Sequence, residues 1–135
     1  MAELTFFFDR CTGSKLPKLL RQTRAPFKIE FHDEKSNGFA RDTDDDVWLA
    51  EVSKKGWIVI SHDKRFHKDS LAMEAVRQHQ GRVFYLDGGS SVNWDKLRRF
   101  AYTYKKMEQL VKNQPAPFIY RITYSDRIIR QKGFD

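Results

Sequence analysis

Leu4-Thr5-Phe6-Phe7-Phe8-Asp9 is the stretch from which the fold follows. The run from Leu4 to Phe8 is too short for a helix and too uniformly apolar for a strand with one face in water. It therefore reads as a buried central strand covered on both faces, the pattern of a parallel sheet. Trp57-Ile58-Val59-Ile60-Ser61-His62-Asp63 repeats the arrangement, an apolar run closed by an aspartate. In an open parallel sheet the functional crevice lies outside the carboxyl ends of the strands. Neighbouring strands are about 4.8 Å apart, so Asp9 and Asp63 are candidates to share one ion.

Outward from these strands, the turn residues Thr12-Gly13-Ser14 lead into a helix from Lys15 to Thr23, with Ser14 as N-cap and Pro17 tolerated in the first turn. Phe27-Lys28-Ile29-Glu30-Phe31 alternates with period two and predicts a strand nearer the sheet edge. After a polar loop, Thr43 is the expected N-cap of a helix whose first turn holds Asp44-Asp45-Asp46, whose last turn holds Lys54-Lys55, and whose C′ residue is Gly56. A helix from Lys68 to Gln80 stopped by Gly81, a strand from Arg82 to Leu86, and a long helix from about Asn93 to Lys112 follow. That last helix places Leu97, Phe100, Tyr104, Met107 and Val111 on one apolar stripe. Pro115 and Pro117 end it, and Ile119 to Tyr124 with Arg127 to Arg130 predict a terminal hairpin around Ser125-Asp126. The order is that of an α/β fold with a mainly parallel sheet.

The chain has 135 residues, of which 40% are hydrophobic and 14% aromatic, enough for one domain over 1–135 with its own core. Lys and Arg number 25 against 18 Asp and Glu, a net charge of +7. Such a balance favours a polyanionic partner such as nucleic acid or an acidic protein, or serves solubility alone. The single cysteine, Cys11, cannot form an internal disulfide. With no apolar stretch near the ~20 residues of a membrane span and no signal-peptide pattern at the start, a reducing cytoplasm is the expected compartment and a membrane partner is not.

Phe-Phe-Phe-Asp at 6–9, Leu-Pro-Lys-Leu-Leu at 16–20, Asp-Asp-Val-Trp-Leu at 45–49, Lys-Lys-Gly-Trp-Ile-Val-Ile-Ser-His-Asp-Lys-Arg-Phe at 54–66 and Ala-Pro-Phe-Ile-Tyr-Arg-Ile at 116–122 together resemble a PIN-like domain. The resemblance covers nearly the whole chain. It implies a three-layer α/β/α fold and a Mg²⁺- or Mn²⁺-dependent ribonuclease, many of whose relatives are toxins of toxin–antitoxin pairs, the VapC group among them. RNA, an antitoxin protein and a second copy of the chain are then the candidate partners. Carried over by position, Asp9, Asp45 and Asp63 match the family's acidic ligands, with Asp44 and Asp46 as alternatives one residue either side of Asp45. Lys64 and Arg65 stand where the family often has a further acidic residue, which leaves Asp69 and Asp87 as candidates for a fourth carboxylate. Hard divalent ions prefer oxygen ligands and, in phosphodiester hydrolysis, activate water and stabilise developing charge. Arg98, Arg99, Lys105 and Lys106 of the long helix are the candidate RNA contacts.

Other readings compete with these. Helix N-terminal charge alone explains Asp44 to Asp46, and Asp9 and Asp63 can cap the turns that follow them. His32, His62 and His67 read as packed or solvated side chains before they read as base or metal contacts. Trp48 and Trp57 read as core. Asp9-Arg10-Cys11-Thr12 resembles the motif of aspartate-nucleophile phosphatases only in part, since Cys11 stands where that motif needs a second aspartate. A PIN-like module that binds nucleic acid or protein without cleaving it is the alternative to a nuclease.

Overall fold

The computed structural model describes residues 3–40, 43–62, 70–88 and 92–131, with the side chain of Asp45 outside that description. The elements run β1 (Thr5–Phe8), α1 (Lys15–Gln22), β2 (Lys28–Phe31), a 3-10 turn (Lys35–Asn37), α2 (Asp45–Lys54), β3 (Ile58–Ser61), α3 (Ser70–Gln78), β4 (Arg82–Leu86), α4 (Asn93–Asn113), β5 (Phe118–Ile122) and β6 (Ile128–Arg130). They form a six-stranded sheet in the order β2-β1-β3-β4-β5-β6. Every pairing from β2 to β5 is parallel, and β6 closes the edge antiparallel to β5 in the expected hairpin.

Both faces of this sheet are covered, as the uniform apolarity of β1 requires. Phe6, Phe8, Ile58, Ile60, Phe84 and Tyr120 point to the side packed by Leu16 and Leu20 of α1 and by Phe100 and Met107 of α4. Phe7, Val59, Val83 and Ile119 point to the other, against Trp48, Leu49 and Val52 of α2 and Ala72 and Val76 of α3. Period-two alternation within a continuously apolar strand therefore feeds two separate cores. The three phenylalanines of β1 are fully buried, each worth about 2 kcal/mol of transfer free energy. The molecule is the expected three-layer α/β/α arrangement, with β2 at the edge and β1 inside. Among the described residues, no helix is long and apolar enough to cross a membrane.

The helix ends differ from expectation in detail. α2 ends as predicted in a Schellman motif, with Gly56 at φ +75° and bonds from Gly56 N to Ser53 O and from Trp57 N to Val52 O, both 3.0 Å. α3 stops in the same way, but the left-handed residue is Gln80 at φ +56°, with Gly81 one place further on. Gly81 sits in a tight space, where a Cβ would lie 3.3 Å from both Ser53 Oγ and Val76 Cγ1. Ser14 precedes α1 without a side-chain cap bond. Thr43 turns its hydroxyl back to Ala40 O at 2.7 Å, and Asp44 takes the N-cap position of α2, again with no side-chain cap bond. Ser14 thus keeps the expected N-cap position without a side-chain bond, and only Thr43 gives up its place, to Asp44.

Candidate active site at the carboxyl rim of the sheet

Because β1 and β3 are parallel neighbours in register Phe8 to Ile60, the residues that follow them emerge side by side. The order β2-β1-β3 means that the chain leaves β1 toward one side of the sheet and β3 toward the other. This is the topological switch point at which such folds form their crevice. Asp9 lies there, 3% exposed, with its backbone N–H bonded to Ile60 O at 3.2 Å.

The Asp9 carboxylate is held on both oxygens. Oδ1 accepts from Thr12 N and from Thr12 Oγ1, each at 3.1 Å, and Oδ2 accepts a short bond from Ser61 Oγ. Thr12 Oγ1 also lies 3.0 Å from His62 Nδ1. A hydroxyl carries one proton, and Thr12 gives it to Asp9, so His62 donates from Nδ1 to Thr12 Oγ1. A relay results: His62 fixes the Thr12 hydroxyl, which with the Ser61 hydroxyl fixes Asp9. Residues from two segments, the turn after β1 and the end of β3, thereby hold one buried carboxylate in one orientation. This is the support a metal-ligating carboxylate needs.

That tautomer leaves His62 Nε2 as a buried acceptor with no partner among the described residues. Burial first, and then the positive charges of Lys96 and Arg99, push the His62 pKa down to about 3. The unfolded chain, with a histidine near 6.5, takes up this proton before the folded one does. The resulting stability is fully present above pH 6.5 and declines as pH falls from there toward 3. Between pH 6 and 4, metal-free protein is expected to lose about 1.4 kcal/mol per pH unit through this group. His62→Asn, which keeps a donor near the Nδ1 position without titrating, should be less pH-sensitive by that slope in denaturant unfolding. Parallel slopes for the two proteins would show that His62 is not held neutral.

The remaining acidic candidates are distributed unevenly. Asp45 is the first residue of α2, and Arg10 Nη1 reaches Thr43 O at 3.4 Å, tying the approach to α2 to the turn after β1. Asp44 is exposed at the N-cap. Asp46 pairs with Nε2 of His79, the residue just after α3, at 2.7 Å. Asp63, Asp69 and His67 lie outside the described residues. Asp87 ends β4, two strand spacings or roughly 10 Å from β1, and is engaged elsewhere: Arg121 Nε and Nη2 grip its carboxylate at 3.0 and 2.9 Å. Burial, and then the Asp87 charge, raise the neighbouring Tyr85 to about 12. Asp87 thus serves an ion pair of its own. Among the described residues, no group of three or more His, Cys, Asp or Glu side chains is gathered closely enough to hold a metal.

The proposed RNA contacts on α4 also separate. Arg98, Lys105 and Lys106 are exposed, but Arg99 is 2% exposed. Its guanidinium donates to Asp87 O, to Ile122 O at 3.0 Å and to Thr123 O at 2.9 Å. Arg99 therefore ties the ends of β4 and β5 to α4, and its phosphate role is corrected to a structural one. His32 is packed, stacked on Phe39 with Nε2 3.0 Å from Ala40 O. Trp48 is core and Trp57 stacks on Phe7.

Sequence reasoning passed over Thr12, Ser61 and Lys96. For Lys96 the signal existed: it shares the i, i+4, i+7, i+11 row with Phe100, Thr103 and Met107, so it is a cation on the buried stripe of α4.

The fold is an open, mainly parallel α/β sheet whose crevice at the β1/β3 switch holds a buried, oriented aspartate. A family model described as a PIN like domain matches residues 4–88, and the chain belongs to that family. PIN-like domains are commonly nucleases that use divalent metal ions. No curated protein and no solved structure matched the chain.

Proposed function

We propose that this protein is a Mg²⁺- or Mn²⁺-dependent endoribonuclease that hydrolyses RNA phosphodiester bonds at the β1/β3 rim. The observation that carries this reading is Asp9, a buried carboxylate at the switch point of a PIN-like sheet, oriented by Thr12 and Ser61. Its oxygen-only chemistry fits a hard divalent ion. Asp45 and Asp63 are the residues proposed to complete the ligand set. A bound ion of this kind supplies a water that is nucleophilic near neutral pH and neutralises charge on the phosphate. The chain's own part is to fix Asp9 through the His62–Thr12 relay and to exclude bulk water from behind it. A cytoplasmic toxin controlled by an antitoxin protein, or acting as a homodimer, belongs to the same proposal.

Single-stranded RNA is the substrate form that the outer face of α4 fits. Trp94, Arg98, Tyr102 and Lys105 follow one another at i, i+4, i+8 and i+11, all exposed, with Trp94 at 69% and Tyr102 at 66%. Aromatic faces alternating with cations bind unstacked bases and their backbone. Arg98 lies 3.6 Å from Asp126, whose largely buried carboxylate also faces Arg99, so the exposed Arg98 guanidinium keeps donors free for phosphate. In filter-binding titrations, Arg98→Ala with Lys105→Ala should flatten the log–log salt dependence by about 1.4, at roughly 0.7 per single-strand phosphate contact. Trp94→Ala should weaken binding by about tenfold or more. An unchanged slope would assign this face to a protein partner instead.

The second reading is a module that binds nucleic acid without cleaving it. Lys64 and Arg65, standing where a further acidic residue is common in the family, favour it. Labelled RNA incubated with Mn²⁺ and with chelator separates the two. Chelator-sensitive cleavage supports the nuclease, and binding without cleavage in either supports the module.

A further inference from the structure

Lys96 is the anomaly of the carboxyl rim. It lies in the first turn of α4 and is 6% exposed, and its ammonium, which is not among the fully enclosed polar atoms, has no hydrogen-bond or ion-pair partner among the described residues. Lysines are almost never buried this far without an anion, and here the stem is packed while the ammonium keeps only a narrow contact with solvent. Arg99, one turn further along α4, donates from its two terminal nitrogens to three backbone carbonyls and has its Nε 3.7 Å from the Asp126 carboxylate. Lys96 has no such sink.

Its surroundings favour a negative guest. It stands at the N-terminal end of a 21-residue helix, where backbone N–H groups and the helix dipole attract anions. Across from it is His62, which follows β3 directly and whose Nε2 is buried without a partner. His62 is joined through Thr12 to Asp9. A group bound at Lys96 therefore sits beside the carboxylate proposed to hold the ion.

We infer that Lys96, at the N-terminus of α4, is the anion-holding residue of the cleft and takes a phosphodiester oxygen of the nucleic-acid backbone next to Asp9. The choice of a phosphodiester rests on the nuclease reading; the capacity for a phosphate oxyanion does not. Lys96 is a positioning cation here: it fixes the phosphate and balances its charge while Asp9 serves the ion. In the free protein the ammonium has no partner but solvent among the described residues, and a phosphate oxygen would take the place of that water.

The test uses the whole chain with chelator present, so that no metal contributes, and inorganic phosphate as the probe, with chloride at equal ionic strength as control. Phosphate should raise the unfolding midpoint of the wild type and of Lys105→Ala, and shift the Lys96 ammonium resonance in spectra of ¹⁵N-lysine-labelled wild-type protein. Lys96→Met should be at least as stable as wild type without phosphate and bind it tenfold or more weakly. With Mn²⁺, its cleavage of RNA should fall a hundredfold at unchanged metal affinity. A Lys96→Met protein that binds phosphate within threefold of wild type would overturn the inference. So would a destabilised variant together with a wild-type Lys96 resonance indifferent to phosphate, which would make Lys96 an internal counter-ion. If the wild type cleaves no RNA yet the phosphate results hold, the nuclease reading fails and the anion site stands.

Discussion

Asp9→Asn is expected to fold normally and to cleave RNA at least two orders of magnitude more slowly than wild type, the scale of losing a principal electrostatic contact in the transition state. The hydrogen bonds explain why folding survives. The asparagine carbonyl can accept from Thr12 N and Thr12 Oγ1 as Oδ1 does now, and its amide can donate to Ser61 Oγ once that hydroxyl turns its proton away. Only the negative charge is lost. Mg²⁺ or Mn²⁺ should raise the unfolding midpoint of wild type, since an ion that binds only the folded chain stabilises it, and should leave the variant unmoved. Kinetics on folded protein together with thermal unfolding with and without metal provide the check. A folded Asp9→Asn enzyme of full activity would remove Asp9 from the site.

The largest effect on stability is expected at Arg99. Its two terminal nitrogens serve the carbonyls of Asp87, Ile122 and Thr123, and its ring-facing side lies 5.4 Å from the Tyr124 ring centroid. Arg99→Met keeps the apolar stem but takes the guanidinium donor from Asp87 O, leaves Ile122 O and Thr123 O with only the backbone N–H groups of Asp87 and Asp126, and removes the cation 3.7 Å from the Asp126 carboxylate. At about 1–3 kcal/mol for a buried group left unsatisfied, with the weakened bonds to β5 and the lost Asp126 contact beside it, the net loss should be about 2 kcal/mol. That corresponds to roughly 7 °C in Tm for a domain of this size. Arg99→Lys should not rescue it, because one ammonium cannot span carbonyls from two strands as a planar guanidinium does. Denaturant unfolding decides the matter. A variant within 1 kcal/mol of wild type that has lost RNA affinity would return Arg99 to the substrate.

Arg99 also marks where reading the sequence stops. The apolar stripe of α4 was legible because helical period is a local property: Phe100 and Met107 are buried, and Leu97, Tyr104 and Val111 pack beside them. Arg99 and Arg98 are adjacent and chemically identical in sequence. Only the position of β5 beneath the helix buries one and leaves the other in solvent.

The same division runs through the candidate site. Hydrophobic runs closed by Asp9 and Asp63, punctuated helices and a terminal hairpin determined a parallel α/β sheet with aspartate at its carboxyl rim, because strand and helix periods and turn chemistry act over a few residues. The tertiary structure alone decided which side chains hold Asp9. Thr12 and His62 are 50 positions apart, and Ser61 is 52 from Asp9. The pairing of β1 with β3 brings them within 3 Å, and no local pattern encodes that register. It likewise decided that Asp87 belongs to Arg121, that Asp46 belongs to His79, and that Lys96 is enclosed at the rim. Whether a buried polar group is satisfied depends on long-range packing, and the sequence specifies that packing only through the whole fold.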